Sequence, residues 1–124
     1  MPEVAARTPI SPVTIYHNPR CGKSRATLAL IAERGIDAVI VEYLKTPPGA
    51  AELEGIINKL GISAEQLVRK SEEIYRSEYA GRALSDDAWI AAMVKHPILI
   101  QRPIVVKGNR AVLGRPPENV LQLL

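Results

Sequence analysis

The fold of this chain is organised around one stretch near its N-terminus, His17-Asn18-Pro19-Arg20-Cys21-Gly22-Lys23-Ser24-Arg25. A short β-like run at residues 13–16 precedes the stretch, and a helical pattern follows it. At a strand-to-helix turn the free N–H groups of the first helical turn and the positive end of the helix dipole converge. A cysteine there is favoured as a thiolate, and its pKa can fall from about 8.5 to roughly 3.5–7.5. The pattern therefore predicts that Cys21, the only cysteine of the chain, is reactive.

The side chains around Cys21 predict a site that attracts an anion. Arg20, Lys23 and Arg25 add positive charge. His17 lies four residues before the cysteine and Ser24 three residues after it, and we take Cys21, His17 and Ser24 as the candidate catalytic residues. Ser24 is expected to hydrogen-bond the thiolate, but it cannot close a disulfide as the second cysteine of a C-x-x-C motif would.

Two phosphate-binding motifs are excluded by single positions. Gly22-Lys23-Ser24 resembles the end of a P-loop, but His17 occupies a position where that loop requires glycine. A protein-phosphatase loop places an arginine six residues after its cysteine, and this chain has Thr27 there.

Composition bounds the class of protein. The chain has 124 residues, 47% of them hydrophobic and 23% charged, which is ordinary for one globular domain. It has no apolar run of roughly 20 residues and no apolar segment near its start, so we expect a cytoplasmic protein without membrane contact. A single cysteine argues against an internal disulfide or a cysteine-rich metal site. The net charge is +3, but there is no lysine–arginine block, so we expect no nucleic-acid partner. We also expect a monomer.

The first half of the chain predicts a βαβ unit. We interpret residues 1–12 as a flexible tail and residues 13–124 as one domain. Strand 13–17 leads into a helix that stops at Gly35. Residues 38–44 are nearly continuously apolar and β-branched, which favours a parallel strand covered on both faces. The site then lies at the carboxyl end of the first strand, where open α/β sheets bind ligands.

The remainder predicts a helical middle followed by a hairpin. Helices are expected before Gly61, around residues 63–68 and 72–79, and after Ser85. Residues 104–113 form a hairpin around Gly108-Asn109, and a last helix runs from Arg115 to Leu124. The fold class is α/β, a thioredoxin-like βαβ…ββα sheet with a helical insertion between its halves.

Five separated segments, in order, carry a family resemblance: His17-Asn18-Pro19-x-Cys21-Gly22-x-Ser24, Tyr43-Leu44-x-Thr46-Pro47-Pro48, Leu67-Val68-Arg69-Lys70, His96-Pro97-Ile98-Leu99-Ile100-x-Arg102-Pro103-Ile104-Val105 and Gly114-Arg115-Pro116. Together they resemble the glutaredoxin-coupled arsenate reductase family of bacteria (ArsC-like), from about Val13 to the C-terminus. As in thioredoxin-like folds, we expect a cis peptide bond before Pro103.

The resemblance implies a mechanism. The Cys21 thiolate would attack arsenate, glutathione would act as co-substrate, and glutaredoxin would remove the glutathione left on Cys21. Arg69, Arg102 and Arg115 would hold the oxyanion and help to depress the pKa of the cysteine. The partners would be arsenate, glutathione and glutaredoxin, with no bound cofactor and no metal. The alternatives are a thioredoxin-like regulatory protein and a glutathione-dependent thiol oxidoreductase without arsenate activity.

Overall fold

A four-stranded mixed sheet organises the chain, which the computed structural model describes over residues 12–124. All but the last residue of the predicted tail, residues 1–12, therefore lies outside the described residues. The strands are β1 (Val13–His17), β2 (Val39–Glu42), β3 (Ile104–Lys107) and β4 (Arg110–Leu113). Their order is β2-β1-β3-β4, with β1 parallel to β2 and antiparallel to β3, and with β3 antiparallel to β4. The predicted βαβ unit and the predicted hairpin are both confirmed.

The α-helices lie at predicted places, and the short helix predicted around residues 63–68 is a 3₁₀ turn, Glu65–Leu67. The α-helices are α1 (Gly22–Glu33), α2 (Ala50–Leu60), α3 (Glu73–Glu78) and α4 (Asp86–Lys95). Three of them, α2 to α4, form the insertion between β2 and β3. Ser85 caps α4 by accepting a hydrogen bond from the Ala88 N–H at 3.2 Å. Within residues 12–124, no helix is both long and apolar enough to cross a membrane.

Side chains alternate across the sheet and divide the core into two layers. Tyr16 of β1 and Ile104 of β3 pack in one cluster, which also holds buried residues of the insertion such as Trp89. Their neighbours Ile15 and Val105 pack in the other cluster, with α1 and the C-terminal segment. The period of two along each strand places successive side chains on opposite faces, so the sheet is covered on both sides.

Strand β2 differs from its prediction in length and burial. It covers four residues instead of the predicted 38–44, and Val39 and Ile40 are 55% and 49% exposed. The expectation that both faces are covered was therefore wrong. The reason is position: β2 is the edge of the sheet, and the packed layers centre on β1 and β3.

The predicted last helix is a run of 3₁₀ turns, Pro117–Gln122. Asn119 N–H donates to the Pro116 carbonyl at 3.0 Å and Leu123 N–H to the Val120 carbonyl at 2.9 Å, both with i to i+3 spacing. Pro116 and Pro117 at the N-cap and first position are compatible with either helix type, because the first N–H groups of an α-helix have no intrahelical partner.

Gly114 fixes the segment that follows β4. Its N–H donates to the Pro103 carbonyl at 2.9 Å. A Cβ atom at this position would lie 2.4 Å from Thr27 Oγ1 and 2.7 Å from Pro103 Cγ, so the segment approaches α1 more closely than a side chain allows. The peptide bonds before Pro103 and Pro116 are both cis, as predicted for Pro103.

We predict that Gly114→Ala lowers the free energy of unfolding by about 1–3 kcal/mol, because the added methyl group overpacks a closed contact. The measurement is the urea midpoint at constant slope. Gly55→Ala is the matched control, since a Cβ there meets nothing within 4 Å and the position is inside α2. That variant should be up to about 1 kcal/mol more stable. Equal midpoints for Gly114→Ala and wild type would contradict the packing argument.

Candidate active site

Cys21 occupies the turn between β1 and α1, at the N-cap position of the helix. Its own N–H donates to the Asn18 carbonyl at 2.9 Å, and the Asn18 side chain accepts from the Arg20 N–H at 3.0 Å. These two bonds close the turn and aim the sulfur at the first helical N–H groups. The side chain is partly exposed, so a molecule in solution can reach it.

The environment lowers the pKa of the Cys21 thiol. Burial is the largest influence and by itself raises the pKa. It is outweighed by hydrogen bonds that the thiolate accepts from the Ser24 backbone N–H, the Arg102 side chain and the Lys23 backbone N–H, and by the Arg102 charge. The direction is the one predicted from the sequence. Of the three predicted arginines, Arg102 is the one whose charge acts on Cys21 in the described part of the chain.

His17 and Ser24 form a buried pair beside the cysteine. The His17 Nδ1 atom lies 2.6 Å from Ser24 Oγ, which also accepts from the Asn18 N–H at 3.0 Å. Burial lowers the pKa of His17 below its usual range, and the Glu42 carboxylate opposes this only in part. The Ser24 hydroxyl was expected to bond the thiolate, but its oxygen serves His17 and Asn18, and the backbone N–H of Ser24 serves the sulfur. Both side chains therefore hold the loop in shape.

A backbone bridge brings Arg69 next to the segment that carries Arg102. Val68 and Ile100 pair as an isolated antiparallel bridge. On either side of it, the Arg69 N–H donates to the Leu99 carbonyl at 2.6 Å and the Gln101 N–H to the Leu67 carbonyl at 2.8 Å. Arg69 thus lies opposite Leu99, three residues before Arg102.

Arg102 keeps hydrogen-bond donors that the described residues do not use. Its side chain is 14% exposed, and its Nε and Nη1 atoms are buried without a hydrogen-bond partner in residues 12–124. Arg115, the third predicted arginine, donates from Nη1 to the Arg102 carbonyl at 3.3 Å. The side chains of Arg69 and Arg102 therefore lie on either side of the Glu72 carboxylate, whereas Arg115 reaches the backbone of Arg102.

Two residues at the site were missed in the sequence. The Glu72 carboxylate lies 3.1 Å from Arg69 Nε and 3.7 Å from Arg102 Nη1. Tyr43 directly follows β2, is 1% exposed, and its hydroxyl has no hydrogen-bond partner among the described residues. Burial raises the pKa of Tyr43, and the charges of Arg102 and Cys21 also act on it. The i, i+3 spacing of Arg69 and Glu72 was a readable signal, and Tyr43 begins one of the five segments that carry the family resemblance, although no role was assigned to it.

A groove of about 310 Å³ borders the turn on its other side. Leu44 and Ile98 give it an apolar wall, and Arg20, Lys45 and Glu42 give it charged edges. Within residues 12–124, no cluster of three histidine, cysteine or acidic side chains could hold a metal ion.

The sheet order and the strand–turn–helix site define a class, a thioredoxin-like protein with one thiolate beside arginines. Residues 16–123 match the model of the ArsC family, and the chain belongs to that family. The solved arsenate reductase from Vibrio cholerae superposes with a TM-score of 0.89 at 47% identity, covering 94% of this chain and 100% of that one.

Relatives of similar length are equally close in sequence. An arsenate reductase of Neisseria meningitidis (strain MC58) is 46% identical over 114 residues, covering 90% of this chain and 97% of its own length. The "Uncharacterized protein YfgD" of Escherichia coli (strain K12) is 48% identical over 114 residues, covering 90% of this chain and 96% of its own.

We predict that Arg102→Gln moves the midpoint of Cys21 alkylation to higher pH, because it removes both a hydrogen bond to the thiolate and a nearby positive charge. The measurement is the iodoacetamide rate against pH. Lys23→Gln is the control, since it removes a charge two residues away but retains the backbone N–H that acts on the sulfur. Equal shifts for both variants would mean that the overall positive charge around the turn, and not Arg102 in particular, lowers the pKa of Cys21.

We predict that Ser24→Ala costs about 1–3 kcal/mol of unfolding free energy, because the Asn18 N–H and the buried His17 ring lose their shared partner. The alkylation midpoint should still lie below that of an ordinary thiol, since the backbone N–H of residue 24 remains. Urea unfolding and alkylation rates measure the two effects. Ser77→Ala, at an exposed position in α3, is the stability control. Unchanged stability with lost thiolate character would assign the hydroxyl to the sulfur instead.

Proposed function

We propose that the chain is an oxidoreductase that reduces arsenate to arsenite with glutathione and glutaredoxin. One observation carries the proposal: Arg102, whose charge lowers the pKa of Cys21, has Nε and Nη1 donors without a hydrogen-bond partner among the described residues. Arsenate is a tetrahedral oxyanion, and a guanidinium binds such oxygens with paired donors. The arsenate reductases among the relatives support this choice of substrate.

The first step is nucleophilic. The Cys21 thiolate attacks the arsenic atom, one arsenic–oxygen bond breaks, and the oxygen leaves as water after protonation. A covalent Cys21–arsenic(V) adduct results. Arg69, Arg102 and Arg115 offset the negative charge of the remaining oxygens, which is the electrostatic part of catalysis.

The second step requires a thiol from outside the chain. Glutathione thiolate attacks the Cys21 sulfur, the electron pair of the sulfur–arsenic bond goes to arsenic, and arsenite leaves. Arsenic gains two electrons and the two sulfurs form a mixed disulfide. No second cysteine exists in the 124 residues to replace glutathione, and the partial exposure of Cys21 supports the approach of an external thiol.

The groove beside the turn suits glutathione. Glutathione has two carboxylates and one ammonium group, and the groove has Arg20 and Lys45 for the former and Glu42 for the latter. Pro19 belongs to the wall of the groove and lies two residues from Cys21. In the last step a glutaredoxin thiolate attacks the glutathione sulfur and releases Cys21; this step rests on the family resemblance.

We predict multiple turnovers of arsenite formation with glutathione plus glutaredoxin, and none above the uncatalysed rate for Cys21→Ser. The reductants are varied one at a time, and arsenite is separated from arsenate and then quantified. Turnover with thioredoxin alone, without stimulation by glutathione and glutaredoxin, would overturn the coupling. Absence of arsenite under every condition would overturn the substrate and favour a thiol oxidoreductase acting on other disulfides.

A further inference from the structure

Glu72 lies at the N-terminus of α3, but its carboxylate does not serve that helix. It is the N-cap residue, and within the described chain its side chain makes no capping hydrogen bond. Instead, it contacts Arg69 Nε at 3.1 Å and lies 3.7 Å from Arg102 Nη1. The three side chains are 16%, 21% and 14% exposed for Arg69, Glu72 and Arg102, so the contact is largely shielded from water.

The two contacts are unequal. The Arg69 Nε donates a hydrogen bond to Glu72 Oε2, whereas 3.7 Å from Arg102 is an ion pair without a hydrogen bond. Arg69 is thus hydrogen-bonded to Glu72, whereas Arg102 is attracted to Glu72 and keeps its Nη1 donor without a hydrogen bond to the described residues. A single carboxylate oxygen, Oε2, makes both contacts. Guanidinium N–H groups are also the donors that the oxygens of a tetrahedral oxyanion use, so the carboxylate and an oxyanion would share donors.

We propose that Glu72 limits the affinity of the site for tetrahedral oxyanions by competing with them for Arg69 and Arg102. Without an oxyanion it balances part of their charge. When an oxyanion binds, Glu72 has to give up Arg69 or share it, and the repulsion between the two anions weakens binding. The residue therefore weakens the retention of tetrahedral oxyanions as a class, phosphate included. The identity of the anion site rests on the proposed function.

The test measures anion binding without turnover. We expect inorganic phosphate to protect Cys21 from alkylation by iodoacetamide, a neutral reagent. For each variant, the phosphate concentration that gives half-protection is measured against the alkylation rate of the same variant without phosphate. We expect Glu72→Gln to lower that concentration roughly three- to tenfold, since one close negative charge is removed while size is kept. The Michaelis constant for arsenate should fall in the same direction.

Glu73→Gln is the matched control. Glu73 is the next residue, is exposed, and loses the same charge. It should change the half-protecting concentration less than twofold, because an exposed charge is screened by solvent and salt. Glu72→Ser, which also removes the charge and suits an N-cap, replaces Glu72→Gln if that variant does not fold.

Three results would overturn the proposal. The first is weaker phosphate protection in Glu72→Gln, which would mean that Glu72 orients Arg69 for anion binding. The second is an equal effect of Glu72→Gln and Glu73→Gln, which would mean that the net charge of the protein, and not the position of Glu72, changes phosphate binding. The third is no phosphate protection in any variant. Tighter phosphate binding in Glu72→Gln without arsenite formation in any assay would leave the competition standing and reject arsenate reduction.

Discussion

The Arg102 guanidinium is a permanent charge in a place that water scarcely reaches, and the site is arranged around the need to balance it. Its side chain is 14% exposed and it cannot lose its proton. A buried cation is costly unless an anion accompanies it. The Cys21 thiolate and the Glu72 carboxylate both lie within its influence. The same attraction that stabilises Arg102 therefore stabilises the reactive form of the cysteine, and an incoming oxyanion becomes a third anion in this balance.

The position of Arg102 depends on packing far from the sulfur. The insertion α2 to α4 returns to the sheet through Leu99 and Ile100, which are 0% and 1% exposed. Ile100 pairs with Val68, and that bridge sets Arg69 against the segment that leads to Arg102. On the other side, Gly114 admits the segment of Arg115 between α1 and Pro103. Substitutions in the core of the insertion or at Gly114 should thus reach the anion site through the backbone, with no contact to a ligand.

Local patterns in the sequence predicted the elements better than their surroundings. The run before Cys21, the helix after it and the Gly108 turn are each encoded within a few residues, and all were confirmed. A run of β-branched residues is compatible with a covered strand and with an edge strand, so the exposure of β2 could not be predicted from its sequence. Two adjacent prolines were interpreted as a helix start, but proline in a first turn suits an α-helix and a 3₁₀ helix alike, so this signal could not distinguish them. The family resemblance implied a joint role for Arg69, Arg102 and Arg115, but no local pattern indicated that Arg102 is the arginine that lowers the pKa of Cys21. That distinction, like the pairing of Ser24 with His17, depends on side-chain directions that arise only when distant segments meet.

The partial burial of Cys21 reconciles two opposing demands. Deeper burial would raise the pKa of Cys21 back toward its ordinary value, since desolvation is the largest single influence and disfavours the thiolate. It would also close the path for an external thiol, which a chain with one cysteine needs for any two-electron step. Full exposure would weaken the pull of Arg102, because water screens a charge that the protein interior does not. The N-cap position resolves this conflict: the N–H groups of Lys23 and Ser24 and the Arg102 side chain stabilise the sulfur from the protein side, while its other side remains open to solution.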